Sequence, residues 1–171
     1  MAGLDRHHAT IFVAPAVAGP IEDARREWDP TMAARIPAHV TLVYPEEAPR
    51  PDLLIARVRT AAGTVPPFRL RLGEAAGFAS PEGGAYLSVD DVDGGVSAIR
   101  EVVLQPPFRG IPFRPHVTIV HPGTSPWGRR FLEQGGCRTG EREFTVAEVA
   151  ITAFDGTRWV GVHAFPLSRP R

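Results

Sequence analysis

The sequence predicts an α+β fold, on two observations. Short β-branched segments and helical segments follow one another without the strict strand–helix alternation of a doubly wound parallel sheet. A seven-residue motif also occurs twice, which indicates two similar units related by a pseudo-two-fold axis. The length of 171 residues allows one domain with a substantial core, and we expect a single domain over residues 1–171.

The predicted strands are short runs rich in β-branched and aromatic residues, several of them ended by proline. They cover residues 9–14, 39–44, 68–72, 78–89, 116–121, 144–154 and 158–165. A turn at residues 80–84 is expected to break the fourth of these. Asp155-Gly156 is a hairpin-turn signal between the last two.

The predicted helices cover residues 20–28, 52–62, 96–104 and 125–134. The first begins at Pro20, and the second is expected to end at Gly63. The third carries apolar residues at the i, i+3 and i+7 positions of one face. For the fourth, Ser125 is the expected N-cap, with Pro126 as the first helical residue.

The charge composition excludes several classes of function. Nineteen basic and nineteen acidic residues give zero net charge, which argues against a broad basic surface for long duplex nucleic acid. All the basic residues are arginine, so Schiff-base chemistry, a phosphate-loop lysine and the lysyl-nucleotide route of ATP-dependent ligases are excluded.

One cysteine, Cys137, excludes an intrachain disulfide and a Cys-rich zinc site. No apolar run approaches the length of a transmembrane helix, and the first residues do not have the pattern of a signal peptide. We therefore expect a cytoplasmic protein without a membrane partner.

The repeated motif is His-Val-Thr-Leu-Val-Tyr-Pro at residues 39–45 and His-Val-Thr-Ile-Val-His-Pro at residues 116–122. The offset is 77 residues, and Pro49 and Pro126 match at the same offset. In a strand, side chains alternate between faces, so each motif presents a histidine and a threonine on one face and apolar residues on the other. Burying these polar groups unpaired would be costly, so their repetition indicates a function.

Two imidazoles facing one pocket suffice for general acid–base catalysis. The unperturbed pKa of histidine is about 6.5, so one ring can be neutral and the other protonated near neutral pH. His39 and His116 are the candidate acid and base, in an order that the sequence does not decide. The hydroxyls of Thr41 and Thr118 can donate hydrogen bonds to the non-bridging oxygens of a phosphate.

These paired His-x-Thr motifs resemble those of the 2H phosphoesterase superfamily, which includes 2'-5' RNA ligase-like proteins and cyclic nucleotide phosphodiesterases. The resemblance covers nearly the whole chain, including the closing segment from Phe144 to Leu167. It implies a bilobal α+β fold with an antiparallel sheet and helices in each lobe and both motifs lining a central groove. It also implies chemistry without a metal or other cofactor at 2',3'-cyclic phosphates or 2',5' linkages. In this interpretation His39, Thr41, His116 and Thr118 take the catalytic and phosphate-binding roles.

The other polar residues carry weaker signals. Arg114, two residues before His116, is the candidate additional phosphate ligand, and Arg35 is a second arginine near a motif. For any one of the 19 arginines the competing interpretation is a solvated surface residue, and that interpretation is favoured even for Arg114.

The remaining histidines and the aromatic residues are assigned to packing or to the surface. His7 and His8 are expected at the surface, His121 and Tyr44 at strand ends, and His163 in packing with Trp159 and Phe165. His121 is expected to face away from His116, which disfavours a three-histidine metal site. Trp127 and Phe131 are expected on the buried face of a helix.

The sequence therefore predicts a metal-independent phosphoesterase that acts on a nucleotide or an RNA terminus. Three alternatives stay open: a binding module for RNA ends or nucleotides without turnover, a structural repeat in an interaction protein, and a cyclic phosphodiesterase for a metabolite other than RNA. We expect a monomer that does not bind long duplex nucleic acid.

Overall fold

The computed structural model describes residues 6–81, 83–139 and 142–168. Within these residues the chain forms eight strands and five helices. In chain order they are β1 (His7–Phe12), α1 (Pro15–Trp28), α2 (Pro30–Arg35), β2 (His39–Val43), α3 (Pro51–Thr64), β3 (Phe68–Gly77), β4 (Ala85–Asp91), α4 (Gly95–Val103), β5 (His116–Val120), α5 (Gly128–Glu133), β6 (Glu143–Val146), β7 (Glu148–Phe154) and β8 (Trp159–Pro166).

All eight strands belong to one curled antiparallel sheet with the order β6-β3-β4-β5-β2-β1-β7-β8. The motif strands β2 and β5 are neighbours at its centre, where Val40 pairs with Val117. These two valines lie 77 positions apart, which is the offset of the sequence repeat. The predicted α+β fold with two related halves is thus confirmed, and the motif strands join the halves into a single sheet.

The two halves match residue by residue beyond the motif strands. Strand β1 pairs with β2 as β4 pairs with β5, and both pairs contain an irregularity at the same place. The equivalent pairs are Ala9–Val43 and Ala85–Val120, Thr10–Thr41 and Tyr86–Thr118, Ile11–Val40 and Leu87–Val117, and Phe12–His39 and Ser88–His116. The repeat therefore includes β1 and β4, whose sequences differ too much to show it.

The core lies against the apolar faces of these strands. Val40, Leu42, Val117 and Ile119 are fully buried, as the alternation within the motifs predicts. Helices α3 and α4 pack against each other, and each inserts an apolar stripe into the same core. Among the described residues, no helix is both long and apolar enough to cross a bilayer.

The two N-terminal elements differ from the prediction at their ends. Strand β1 begins at His7 rather than at residue 9, and α1 begins at Pro15, with Pro20 inside the helix. Proline at position 20 removes one hydrogen bond early in the helix, and burial of Val17 and Ile21 compensates for it. Helix α3 likewise continues past Gly63 to Thr64.

The C-terminal part also differs in detail. Helix α5 starts at Gly128, so Ser125 does not cap it; the Ser125 hydroxyl instead donates a hydrogen bond to the Trp28 carbonyl at 2.7 Å. The predicted strand 144–154 is two strands, β6 and β7, separated at Ala147. The two pair with different partners, β3 and β1, which lie in different halves of the sheet.

Gly84 is a close-packed point beside the motif strand β5. Its φ of +122° is a conformation that other residues rarely adopt. A Cβ atom there would lie 2.9 Å from both the Phe78 ring and Pro122, and 3.0 Å from the Val120 carbonyl oxygen. This position therefore requires glycine for conformational and for steric reasons.

We expect Gly84→Ala to lower the free energy of unfolding by about 2–4 kcal/mol, because it combines an unfavourable φ with a steric clash. Gly63→Ala is the matched control: Gly63 lies in α3, and a Cβ atom added there would have nothing within 4 Å. That change is expected to stabilise the protein by up to about 1 kcal/mol through helix propensity. Urea unfolding of both variants measures the difference, and equal stabilities would contradict the structural role of Gly84.

Candidate active site

The four motif side chains line one cavity of about 390 Å³ at the centre of the sheet. His39 and Thr41 come from β2, and His116 and Thr118 come from β5. Val40 and Val117 lie directly opposite each other and face the core, so the residues on either side of them must face the other surface of the sheet. The structure thus brings together all four residues that the repeat singled out.

Both motif histidines are held in the same way. The His39 Nδ1 atom is hydrogen-bonded to the Pro37 carbonyl oxygen at 2.8 Å, and the His116 Nδ1 atom to the Arg114 carbonyl oxygen at 2.9 Å. A carbonyl oxygen only accepts, so each Nδ1 carries the proton. The Nε2 atom of each ring is then the one available for proton transfer.

Burial, together with the nearby charges of Arg25 and His116, lowers the pKa of His39 to about 4. The hydrogen bond to Pro37 acts in the opposite direction but does not compensate. His39 is therefore neutral in the free protein at neutral pH, with an unprotonated Nε2.

His8 was expected at the surface, and this expectation is wrong. Its side chain is buried, lines the cavity and lies nearly parallel to the His39 ring at a centroid distance of 5.8 Å. It forms hydrogen bonds with the hydroxyls of Thr10 and Thr152. The reason is tertiary: β1 lies inside the sheet, between β2 and β7.

The His8 imidazole is kept neutral by its surroundings. Burial, followed by the charge of His39, lowers the pKa of His8 to about 3. His8-Ala9-Thr10 has the same His-x-Thr spacing as the two motifs, and this was the sequence signal that could have identified the residue.

Arg25 is a second site residue that the sequence did not indicate. Its side chain is 1% exposed and lines the cavity. It forms an ion pair with Glu22 at 3.1 Å and donates to the Ile36 carbonyl at 2.8 Å. The Glu22 carboxylate also accepts a hydrogen bond from the Ala38 amide, next to His39. The pair therefore links α1 to the start of the first motif and places a fixed positive charge beside the cavity.

The two histidines have different neighbours. The His116 ring contacts Phe78 and Tyr86, with centroid distances of 5.4 and 5.3 Å. On the His39 side, the Trp159 ring packs against His8 at 3.9 Å. The scaffold is symmetric, but the walls around the two imidazoles are not.

Arg114, the predicted phosphate ligand, has an exposed side chain that lines a different, adjoining cavity. Its backbone carbonyl orients His116, but its guanidinium does not line the cavity of the four motif side chains. Its role as a phosphate ligand stays a prediction. The side chain of Arg35 is exposed and does not line the motif cavity either.

His121 and Tyr44 follow their strands and line the cavity. His121 was expected to face away from His116, but β5 ends at Val120, so the strand alternation no longer applies to it. The His121 amide donates to the buried Asp29 carboxylate at 2.9 Å, and the Thr124 hydroxyl donates to the same carboxylate at 2.6 Å. Asp29 thereby attaches the turn after the second motif to the α1–α2 junction.

Two packing predictions are correct only in part. The His163 side chain is exposed and stacks on Phe165 at 5.8 Å. Trp127 is 50% exposed and lies at the N-cap of α5, although Phe131 is buried as expected. In the described part of the chain, no group of three or more His, Cys, Asp or Glu side chains is arranged to hold a metal ion.

A sequence model of the 2'-5' RNA ligase superfamily matches residues 13–158, most of the chain. A search of curated protein sequences found no match. With its two His-x-Thr motifs on one cavity, the chain belongs to the 2'-5' RNA ligase superfamily of 2H phosphoesterases. The resemblance noted from the sequence is thus confirmed.

Solved structures share the fold. The TT0787 protein of Thermus thermophilus is 19% identical, with a TM-score of 0.64 over 95% of this chain and 97% of that one. Apo LigT of E. coli is 16% identical, with a TM-score of 0.66 over 96% and 98% of the two chains. LigT in complex with 3'-AMP is 16% identical, with a TM-score of 0.61 over 96% and 99%. At these identities the likeness is one of fold.

The lowered pKa values of His8 and His39 predict acid sensitivity. The folded-state pKa of His8 is about 3 and that of His39 about 4, whereas the unfolded value is about 6.5. Between pH 6.5 and 4 the unfolded chain therefore binds protons that the folded protein does not, so stability falls as the pH falls. Above about pH 6.5 neither state binds these protons, so the two histidines no longer make the stability depend on pH.

We expect His8→Gln to reduce the loss of unfolding free energy between pH 7 and 4.5 by about 2 kcal/mol relative to the unmodified protein. Urea unfolding at the two pH values measures it. His163→Gln, at an exposed histidine, is the control and should leave the loss unchanged. An equal loss in the unmodified protein and in His8→Gln would show that His8 does not remain neutral.

Proposed function

We propose that the protein is a metal-independent phosphoesterase that hydrolyses a 2',3'-cyclic phosphate or a 2',5'-phosphodiester of a nucleotide or RNA end. The observation that carries this proposal is the paired geometry of the motifs. Two imidazoles share one cavity with two threonine hydroxyls. The Nδ1 atom of each imidazole donates a hydrogen bond to a backbone carbonyl oxygen. The family supports phosphoesterase or ligase-type chemistry at such a site.

Hydrolysis needs one imidazole neutral and the other protonated. The neutral Nε2 takes a proton from water as the water oxygen bonds to phosphorus, and the protonated Nε2 gives its proton to the ribose oxygen as the phosphorus–oxygen bond breaks. The two rings then exchange protons with solvent and return to their starting forms. The lowered pKa of His39 presents this ring unprotonated in the free protein.

The threonines and Arg25 act on the charge of the reacting phosphate. The hydroxyls of Thr41 and Thr118 donate hydrogen bonds to the non-bridging oxygens, where negative charge increases in the transition state. Arg25 is buried and already ion-paired, so it contributes a fixed positive potential without having to move. No residue of this scheme requires a metal ion or an organic cofactor.

The substrate class follows from local rather than long-range recognition. The zero net charge does not favour a long polyanion, whereas one phosphate suits the two histidines and two threonines. LigT, which has a similar fold, has been solved in complex with 3'-AMP, ATP and phosphate, and this supports a nucleotide as ligand here.

With a single cysteine and no disulfide pair, a cytoplasmic location suits the chain.

The central prediction concerns the two histidines. His39→Ala and His116→Ala are each expected to lower kcat for a nucleoside 2',3'-cyclic phosphate by at least about 100-fold, because each removes one proton-transfer step. Product formation is followed chromatographically, and circular dichroism checks that the fold is intact. His163→Ala, at an exposed histidine outside the cavity, is the matched control and should keep full activity.

Full activity of His116→Ala would refute the catalytic proposal. Binding of the cyclic nucleotide by the unmodified protein without product formation would favour the binding-module alternative. Activity is expected to persist in EDTA, and its loss on chelation, with recovery on adding a divalent cation, would refute a metal-independent mechanism.

A second prediction separates the hydroxyls from side-chain volume. Thr41→Val and Thr118→Val keep the shape of the side chain but remove the donor, and each is expected to lower kcat by about 10- to 1,000-fold. Thr→Ser at the same positions should retain most of the activity, because it keeps the hydroxyl. Thr145→Val, on the exposed face of β6, is the control. If the valine variants kept normal kcat, the threonines would not bind the reacting phosphate.

A further inference from the structure

The turn that follows each motif strand is built in the same way in both halves. The Glu47 amide donates to the Tyr44 carbonyl at 3.1 Å, and the Thr124 amide donates to the His121 carbonyl at 3.0 Å. Glu47 and Tyr44 each lie 77 positions before their counterpart, which is the offset of the sequence repeat. The repeat therefore includes these two turns, although their residues differ.

A buried carboxylate accepts the first amide after each motif strand. The Glu47 carboxylate accepts a hydrogen bond from the Tyr44 amide at 2.9 Å, and the Asp29 carboxylate accepts one from the His121 amide at 2.9 Å. Both acidic residues are buried, and a buried carboxylate is costly unless donors surround it. Glu47 belongs to the turn itself, whereas Asp29 lies at the α1–α2 junction, before the first motif.

Glu47 connects the turn after the first motif to the segment before the second. Its carboxylate accepts hydrogen bonds from the Ile111 amide at 2.9 Å and from the Arg100 guanidinium at 2.8 Å. The same guanidinium lies over the Phe113 ring, 3.9 Å from its centroid. The carbonyl that holds the second motif histidine belongs to the next residue, Arg114.

Thr124 and Asp29 make the reciprocal connection, from the turn after the second motif to the segment before the first. The Thr124 hydroxyl donates to Asp29 Oδ2 at 2.6 Å. The other oxygen, Oδ1, accepts a hydrogen bond from the Met32 amide at 3.0 Å and so caps the start of α2. Two residues beyond the end of α2 lies Pro37, whose carbonyl holds the first motif histidine.

We propose that Glu47 and Thr124 are positioning residues that act crosswise: Glu47 holds His116 in place, and Thr124, through Asp29, holds His39. Each turn fixes the backbone segment whose carbonyl orients the imidazole of the other motif. This inference rests on the proposed function and extends it to residues that do not line the catalytic cavity. Two imidazoles that act on one phosphorus must keep a fixed separation, since a misplacement of about 1 Å costs about 100-fold in rate.

The test observes the two imidazoles separately by heteronuclear NMR, which distinguishes a neutral ring protonated at Nδ1 from one protonated at Nε2. At about pH 8 both rings of the unmodified protein should be in the Nδ1–H form. Thr124→Val removes the hydroxyl donor and keeps the shape of the side chain. It should raise the Nε2–H share of His39 about 5-fold and leave His116 unchanged, whereas Glu47→Gln should do the reverse.

Two control variants separate positioning from a general loss of stability. Thr124→Ser keeps the hydroxyl and should leave both rings as in the unmodified protein. Val146→Ala removes buried volume in β6, which is separated from β5 by two strands, and should lower stability without changing either ring. An effect only on the histidine of the same motif, an equal effect on both, or no effect would refute the crosswise role.

Kinetics give the second readout. Thr124→Val and Glu47→Gln should each lower kcat for adenosine 2',3'-cyclic phosphate about 10-fold and change KM by less than about 2-fold, because they displace a proton-transfer group and not the bound phosphate. Val146→Ala should retain normal kcat. Normal kcat in both turn variants would refute the positioning role. If the unmodified protein hydrolyses no cyclic phosphate, the proposed function is refuted, and the NMR comparison still decides whether the turns act crosswise.

Discussion

The contact between Val40 and Val117 at the centre of the sheet is the constraint on which the rest of the site depends. Because both valines face the core, the alternation of each strand directs a histidine and a threonine to the opposite surface. One antiparallel pairing therefore gathers four polar side chains on a single wall. A shift of the pairing by one residue would place the histidines in the core, so the same hydrophobic burial that stabilises the sheet also fixes the composition of the site.

Around this symmetric centre the polar side chains form hydrogen bonds with neighbouring groups of the protein. The carbonyls of Pro37 and Arg114 hold the two imidazoles, and the Glu22–Arg25 pair connects the first motif to α1. Buried polar groups are costly unless they are hydrogen-bonded, and here that requirement also orients the groups that face the cavity. His8 follows the same rule: two threonine hydroxyls satisfy its Nδ1, and burial keeps its ring uncharged.

Particular residues show how far the sequence supports such reasoning. The motif residues were identifiable because they repeat at a constant offset, and strand alternation correctly assigned their faces. His8 was misplaced because its exposure depends on β7, which is about 140 residues further along the chain and covers one side of β1. Arg25 has the pattern of a surface helix residue, and only the packing of α1 against the first motif makes it part of the cavity. The repeat of β1 in β4 was hidden for a similar reason, because it is a repeat of pairing register rather than of residue type.

The sequence by itself therefore determined the α+β class, the two motif strands and the four side chains that face the cavity. These follow from local rules. The side chains of a strand alternate between its two faces, buried polar groups are costly, and the motif is repeated although strand formation alone does not require the repetition. Only the tertiary structure decided what surrounds those side chains. The neutral state of His39 and the fixed charge of Arg25 arise from contacts between distant segments. Burial and pairing across the sheet are properties of the assembled chain, and no local pattern carries them.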